Sequence, residues 1–317
     1  MMTMRRSLTL ILPAALFHLG CQTPPSFGDS ENPIFRQGAI ADIACGPSAI
    51  FNWLSHGEGD LQGILTTLSA ERTPVQTVRH IIDTYGKRRS ATNPSVTRYG
   101  SHNGGVGSVN LMLMATELLA DHLESPPTLR GEYLHRLEGE STGQHLARIT
   151  GWFSESIDSG IPVLFYIRAY RRTSGRSSPR MVFGHHVVIT SLDGGGVTTD
   201  GGAQQIGFTF VDSSSGRVDH GDLLVAKQEF TAPTFTYRFD GERAVTDQRV
   251  RTGRPVLEVR IRSYEPAHPP EETILLAHFG TFANATPYAT PGSLAEHGFT
   301  RVYFEKCLGK DVTGSQA

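Results

Sequence analysis

The chain holds only three cysteines, Cys21, Cys45 and Cys307, among 317 residues. That is too few for a small disulfide-stapled scaffold. Neither charge sign is in excess, with 29 Lys and Arg against 31 Asp and Glu. A protein without a basic surplus offers little to a phosphate backbone, which sets nucleic-acid binding aside. Long apolar runs are missing as well: Leu8 to Phe17 covers ten residues, about half of what a bilayer-spanning helix needs. There is no internal repeat and no long low-complexity tract. No His, Cys, Asp or Glu cluster has metal-ligand spacing, since the adjacent His185 and His186 would point to opposite faces of a strand. Neither a metal nor another cofactor is therefore expected. What remains is an ordinary globular chain with 38% hydrophobic content, enough for one large domain or two modest ones.

The first residues read as a targeting segment, with Arg5 and Arg6 ahead of the apolar stretch and small-residue chemistry at Gly20. Leu19-Gly20-Cys21 resembles a bacterial lipobox, although His18 stands where an aliphatic residue is usual. The resemblance implies lipidation of Cys21, a location in the bacterial cell envelope and membrane contact through the lipid alone; an ordinary signal peptide is the alternative. Residues 22–33 (QTPPSFGDSENP) are polar and proline-rich, as a tether is. The expected organisation is a signal segment at 1–21, a tether at 22–33, a main domain at 34–263 and a C-terminal extension at 264–317.

Within the main domain, periodicity and stop signals predict helices at 46–54, 73–85, 108–123 and 144–158. Thr73 caps the second and Pro74 opens it. Strands are expected at 163–167, 182–192, 206–212, 230–239 and 255–261, where β-branched and aromatic residues alternate with Gly, Asp and Ser clusters. Helices first and strands second is an α+β order, a helical N-terminal half packed on an antiparallel sheet. The residues after the proline-rich 265–270 either pack back on that sheet or form an appendage.

The chemistry concentrates in Asp42-Ile43-Ala44-Cys45-Gly46-Pro47-Ser48-Ala49-Ile50. A thiol attacks as thiolate, and a helix N-terminus favours that anion through its unpaired N–H groups and macrodipole. Gly46 keeps the sulfur approachable, and the Cys45 N–H can serve a developing oxyanion. A disulfide to Cys307 is the minor alternative use of this cysteine. If 182–192 and 206–212 pair as an antiparallel hairpin, the midpoint of 185 and 212 falls inside the 193–205 connection. His185 then faces Asp212 as a base faces its orienter. The rival Asp193 sits further along the same strand, about 26 Å away at ~3.3 Å per residue. Asp212 also reads as a plain turn-opening residue before Ser213-Ser214-Ser215-Gly216. Pattern alone does not choose between His185 and His186, because both faces of their strand are apolar. The 104–107 glycine-rich stretch before the third helix lacks the Lys of a P-loop and reads as a cleft-lining turn, with His102 beside it facing solvent.

Cys45-Gly46-Pro47-Ser48-Ala49 leading into a helix resembles the nucleophile motif of the bacteriocin-processing, double-glycine leader peptidase family, within the papain-like cysteine peptidase superfamily. Gly184-His185-His186-Val187-Val188 is similar to that family's histidine strand, Gly160-Ile161-Pro162-Val163-Leu164 to the strand before it, and Val211-Asp212 to its Asp position. The likeness spans 34–217 and is loosest between 58 and 144. It implies a papain-like fold and hydrolysis of a peptide or protein substrate, with Cys45 as nucleophile, His185 as base and Asp212 as orienter. The family places an oxyanion Gln six residues before the cysteine, where this chain has Ala39; Gln37, eight before, can serve only if the loop bulges. The 140 residues between Cys45 and His185 also exceed the compact members' spacing. The same order of Cys, His and Asp serves acyl and peptidyl transferases of the phytochelatin-synthase type. A non-catalytic lipoprotein that binds peptides in the cleft is the third possibility.

Overall fold

The structure, a computed structural model, describes residues 32–41, 43–100, 105–137, 139–172, 180–193, 197–198, 204–225, 233–238 and 272–283. Cys21 and its lipobox, most of the tether, Asp42, His102, Gly104, the strand expected at 255–261 and Cys307 lie outside these residues.

Helix α1 (Cys45–His56) starts at the cysteine and carries Pro47 in its first turn, where a missing N–H costs nothing. All of its residues are buried, so it is a central helix and not a surface one. Its polar side chains need partners in consequence. Trp53 Nε1–H donates to the Pro162 carbonyl at 2.6 Å, tying the helix to the chain entering the sheet. Around it lie α2 (Asp60–Ser69), α3 (Pro74–Ile81) and α4 (Ser108–His122), while α5 (Thr142–Asp158) sits on the other side of the sheet's core. Thr73 and Gln76 form a capping box at the start of α3, and Ser141 and Gln144 do the same for α5. The helix expected at 73–85 changes to a π turn over Ile82–Gly86.

A small pair joins β1 (Tyr99–Gly100) to β2 (Gly105–Val106). The main sheet is antiparallel and contains β3 (Leu129–Tyr133), β4 (Val163–Arg172), β5 (Arg180–Leu192), β6 (Val197–Thr198), β7 (Gln204–Asp212), β8 (Arg217–Val225), β9 (Thr234–Arg238) and β10 (Glu272–Ala283). Its order is β3-β10-β4-β5-β7-β8-β9, with β6 on β7. The sheet curls until β9 meets β10: Leu276 pairs with Thr234, and the Ala277 N–H donates to Pro233 O at 2.9 Å. Residues 272–283, beyond the proline-rich segment, are therefore an interior strand of the same sheet.

Side chains alternate along the strands and sort into two cores. Val163, Phe165 and Ile167 of β4, Val187 and Ile189 of β5, and Phe208 and Phe210 of β7 join Ile149, Trp152 and Phe153 of α5 in one cluster. The intervening Leu164, Val188 and Val211 join Ile50, Trp53 and Leu54 of α1 in the other. Truncating one ring in the first cluster, as in Phe208→Ala, costs about 3–5 kcal/mol, a large share of a domain's net stability. Among the described residues no helix is long and apolar enough to cross a membrane.

Candidate active site

Cys45 is the first residue of α1, so its own N–H is one of the four at a helix start that have no partner inside the helix. The side chain is a free thiol, 7% exposed. The helix start is wrapped closely. A Cβ on Gly46 would come within 2.0 Å of Val106 Cγ1, and one on Gly105, whose φ is +117°, within 2.6 Å of the Ile43 carbonyl oxygen. The glycines at 46 and 105 thus let β2 lie directly against the start of α1.

His185 donates from Nε2 to Asp212 Oδ1 at 2.7 Å, and both side chains are buried. The Ser214 hydroxyl lies 3.5 Å from the same Nε2, and the ring also makes a hydrogen bond with the Cys45 side chain. Burial by itself pushes the imidazole toward the neutral form. The charge and hydrogen bond of Asp212, joined by those of Cys45, outweigh it and raise His185 to about 10. The same Asp212 oxygen accepts the Ser214 N–H at 2.7 Å, and Gly216 at φ +68° closes the turn on the Asp212 carbonyl at 2.8 Å. Asp212 is thus both the turn opener and the partner of the imidazole.

The register corrects the expected facing of these two residues. Asp212 pairs with Val187, two positions from His185. A bulge between Ile189 and Ser191 shifts the pairing, and β6 breaks the symmetry of the connection by pairing with the start of β7. A shift of two preserves the face, so the side chains meet as diagonal neighbours. Asp193 is exposed at the far end of β5, where it accepts a hydrogen bond from Thr209.

His186 faces the other way. Its Nε2–H donates to the Val106 carbonyl at 3.1 Å, and its ring lies 4.5 Å from that of Tyr166. Burial drives it down to about 3; His185 and Arg168 push the same way, against the help of the Val106 carbonyl. Among the described residues, no group of three His, Cys, Asp or Glu side chains converges as a metal would need.

Gln37 is brought to the Asp212 side. It opens a 3-10 turn (Gln37–Ala39), and the Ile40 and Ala41 N–H groups bond back to its carbonyl, coiling the eight-residue connection to Cys45. Its backbone N–H donates to Ser213 O at 2.8 Å, and its Oε1 accepts the Ser213 hydroxyl at 3.1 Å.

Four residues at the site escaped the sequence reading. Tyr99 and Tyr166 lie within electrostatic reach of Cys45: burial raises both phenols, and the charge of Cys45 adds to each shift. Ser213 and Ser214 are active in the network, where the sequence shows only a serine-rich turn. No local signal marks the tyrosines: Tyr99 arrives on the short β1–β2 pair, and Tyr166 on β4, whose partners β5 and β10 lie further along the chain. The chain matches no protein-family model, and neither a curated protein nor a solved structure is similar enough to place it in a family.

Proposed function

We propose that this protein is a cysteine peptidase of papain-like fold, cutting amide bonds through Cys45, His185 and Asp212. What supports the reading most is the buried 2.7 Å pairing of His185 with Asp212 while the same ring meets a thiol at a helix start. A histidine raised to about 10 is an imidazolium at neutral pH, and it favours a thiolate beside it. The thiolate attacks the amide carbonyl, and the developing oxyanion is met by the Cys45 N–H and the Gln37 amide. His185 passes its proton to the departing amine as the C–N bond breaks, leaving a thioester and a neutral imidazole. That imidazole then deprotonates a water, which attacks the thioester and frees the acid and the thiol. Asp212 holds the ring orientation throughout.

The test begins with brief exposure to iodoacetamide at about pH 6, followed by peptide mapping. Cys45 should be alkylated far faster than Cys307, and His185→Ala should remove most of the difference. Wild type incubated with a mixture of unfolded peptides should create new termini that Cys45→Ser does not. Slow, equal labelling of the two thiols, or identical peptide maps for wild type and Cys45→Ser, would sink the proposal.

A further inference from the structure

We infer that Asn52 is a positioning residue for the oxyanion side of the site, acting through a backbone strap, Pro33 to Gln37, that it clamps onto α1. This rests on the peptidase reading above. Asn52 is wholly buried in the middle of α1 and grips Phe35 by both backbone groups: Phe35 N–H donates to Asn52 Oδ1 at 2.6 Å, and Asn52 Nδ2 donates to Phe35 O at 3.2 Å. One turn further on, the Ser55 hydroxyl donates to Pro33 O at 2.9 Å. Asn52 and Ser55 are three apart, hence on one face of the helix, and that face carries the strap. The Phe35 ring packs 5.5 Å from Phe51, which pins the strap from the side.

The strap then crosses to the sheet. Arg36 packs on Gly216, whose Cβ position lies 3.5 Å from Arg36 Cβ, and Gln37 bonds Ser213 with its backbone and its side chain. Ser213 sits between Asp212 and Ser214, the residue whose N–H holds the Asp212 carboxylate. A single helix therefore bears the nucleophile at its first residue and, two turns later, the clamp that sets where Gln37 lies against the Asp212 turn. A buried two-point amide clamp on bare backbone fixes both translation and tilt of the strap, which one hydrogen bond would not.

The clamp should matter where an oxyanion forms and nowhere else. Iodoacetamide alkylates by displacing iodide from a methylene carbon, so no oxyanion develops. Acylation by p-nitrophenyl acetate forms an S-acetyl bond and expels p-nitrophenolate through a tetrahedral oxyanion. Asn52→Ala should slow acylation of Cys45 about 10–100-fold, the scale of a displacement of about 1 Å in a catalytic group. The rate of alkylation and its pH profile should stay as in wild type. Gln37→Ala should slow acylation about 100-fold or more, and adding Asn52→Ala to it should change little, since the clamp then has nothing to position. Ser213→Ala, a change confined to one hydroxyl, should give a smaller loss of the same kind and serves if Asn52→Ala does not fold. Equal losses in alkylation and acylation, or losses that multiply in the Gln37 background, would overturn the inference; so would unchanged acylation. Failure of wild-type Cys45 to outpace Cys307 with iodoacetamide would instead remove the peptidase reading itself.

Discussion

On the Asp212 side of β5 a buried imidazole is raised to about 10, whereas on the Tyr166 side its neighbour His186 is driven down to about 3 and His278 of β10 well below its ordinary value. The three rings are 3%, 1% and 2% exposed, so burial does not separate them. The neighbours do. Asp212 supplies a charge within hydrogen-bonding distance, and an opposite charge so close moves a titration by roughly 1–3 units. The other side supplies Arg168, which opposes protonation of both rings, and the rings of Tyr133 and Tyr166. Adjacent positions of one strand thus hold a histidine kept charged beside Asp212 and a histidine kept neutral against the Val106 carbonyl.

The severest way to break this contrast is Asp212→Asn, which gives His185 the surroundings of His186: buried and without a carboxylate. Turnover should fall about 10³–10⁴-fold, on the scale known for the wrong imidazole tautomer, and the selective labelling of Cys45 at about pH 6 should vanish. Circular dichroism should show the fold retained. A variant that keeps selective labelling would mean that Asp212 does not set the state of His185.

Stability against pH should show both sides at once. His185 titrates higher folded than unfolded, so its contribution is fully present below about pH 6.5 and is lost as pH climbs through about 10. His186 is lowered, so its side is stable above about pH 6.5. There stability is lost as pH falls toward 3, because only the unfolded chain takes the proton readily. Urea unfolding across this range should give a maximum near pH 6.5, and Asp212→Asn should flatten the alkaline limb and steepen the acid limb, because His185 then titrates as a buried ring without a carboxylate. An alkaline limb that survives in the variant would assign it to other groups.

The mildest change concerns His278. Neither of its ring nitrogens has a hydrogen-bond partner among the described residues, and its ring meets Tyr133 edge-on at 5.1 Å. An unpartnered buried polar group is costly, so His278→Phe should raise stability by about 1 kcal/mol and weaken the loss at low pH. A destabilised variant would point to a polar contact for this ring.

Much of this was legible because it was local. The cysteine at the head of a helix, the Thr73 cap, and the hairpin joining His185 to Asp212 all follow from spacing and turn residues within short windows. The choice between His185 and His186 was not, since both neighbours of the pair are apolar in both phases, and only strand pairing says which ring meets a carboxylate. Helix α2 was missed because its sequence, DLQGILTTLS, mixes Gly and Thr into the helical period. The strands β3 and β8 were missed for a related reason: LRGEY and RVDHGDLLV alternate poorly. The place of β10 between β3 and β4 is a fact about distant partners, and no window of sequence contains it.

That placement fixes an order of events. Among the described residues β10 is the only neighbour of β3 and covers the edge of β4 away from β5, yet it is the last described strand to be synthesised. A chain stopped short of Glu272 already contains Cys45, His185 and Asp212, but its sheet has a gap beside β4 and cannot meet itself at β9. An open strand edge next to the histidine hairpin invites pairing with other chains. Closure of the sheet is thereby deferred until Glu272–Ala283 has been made, and a chain clipped before it carries Cys45, His185 and Asp212 without the closed sheet around them.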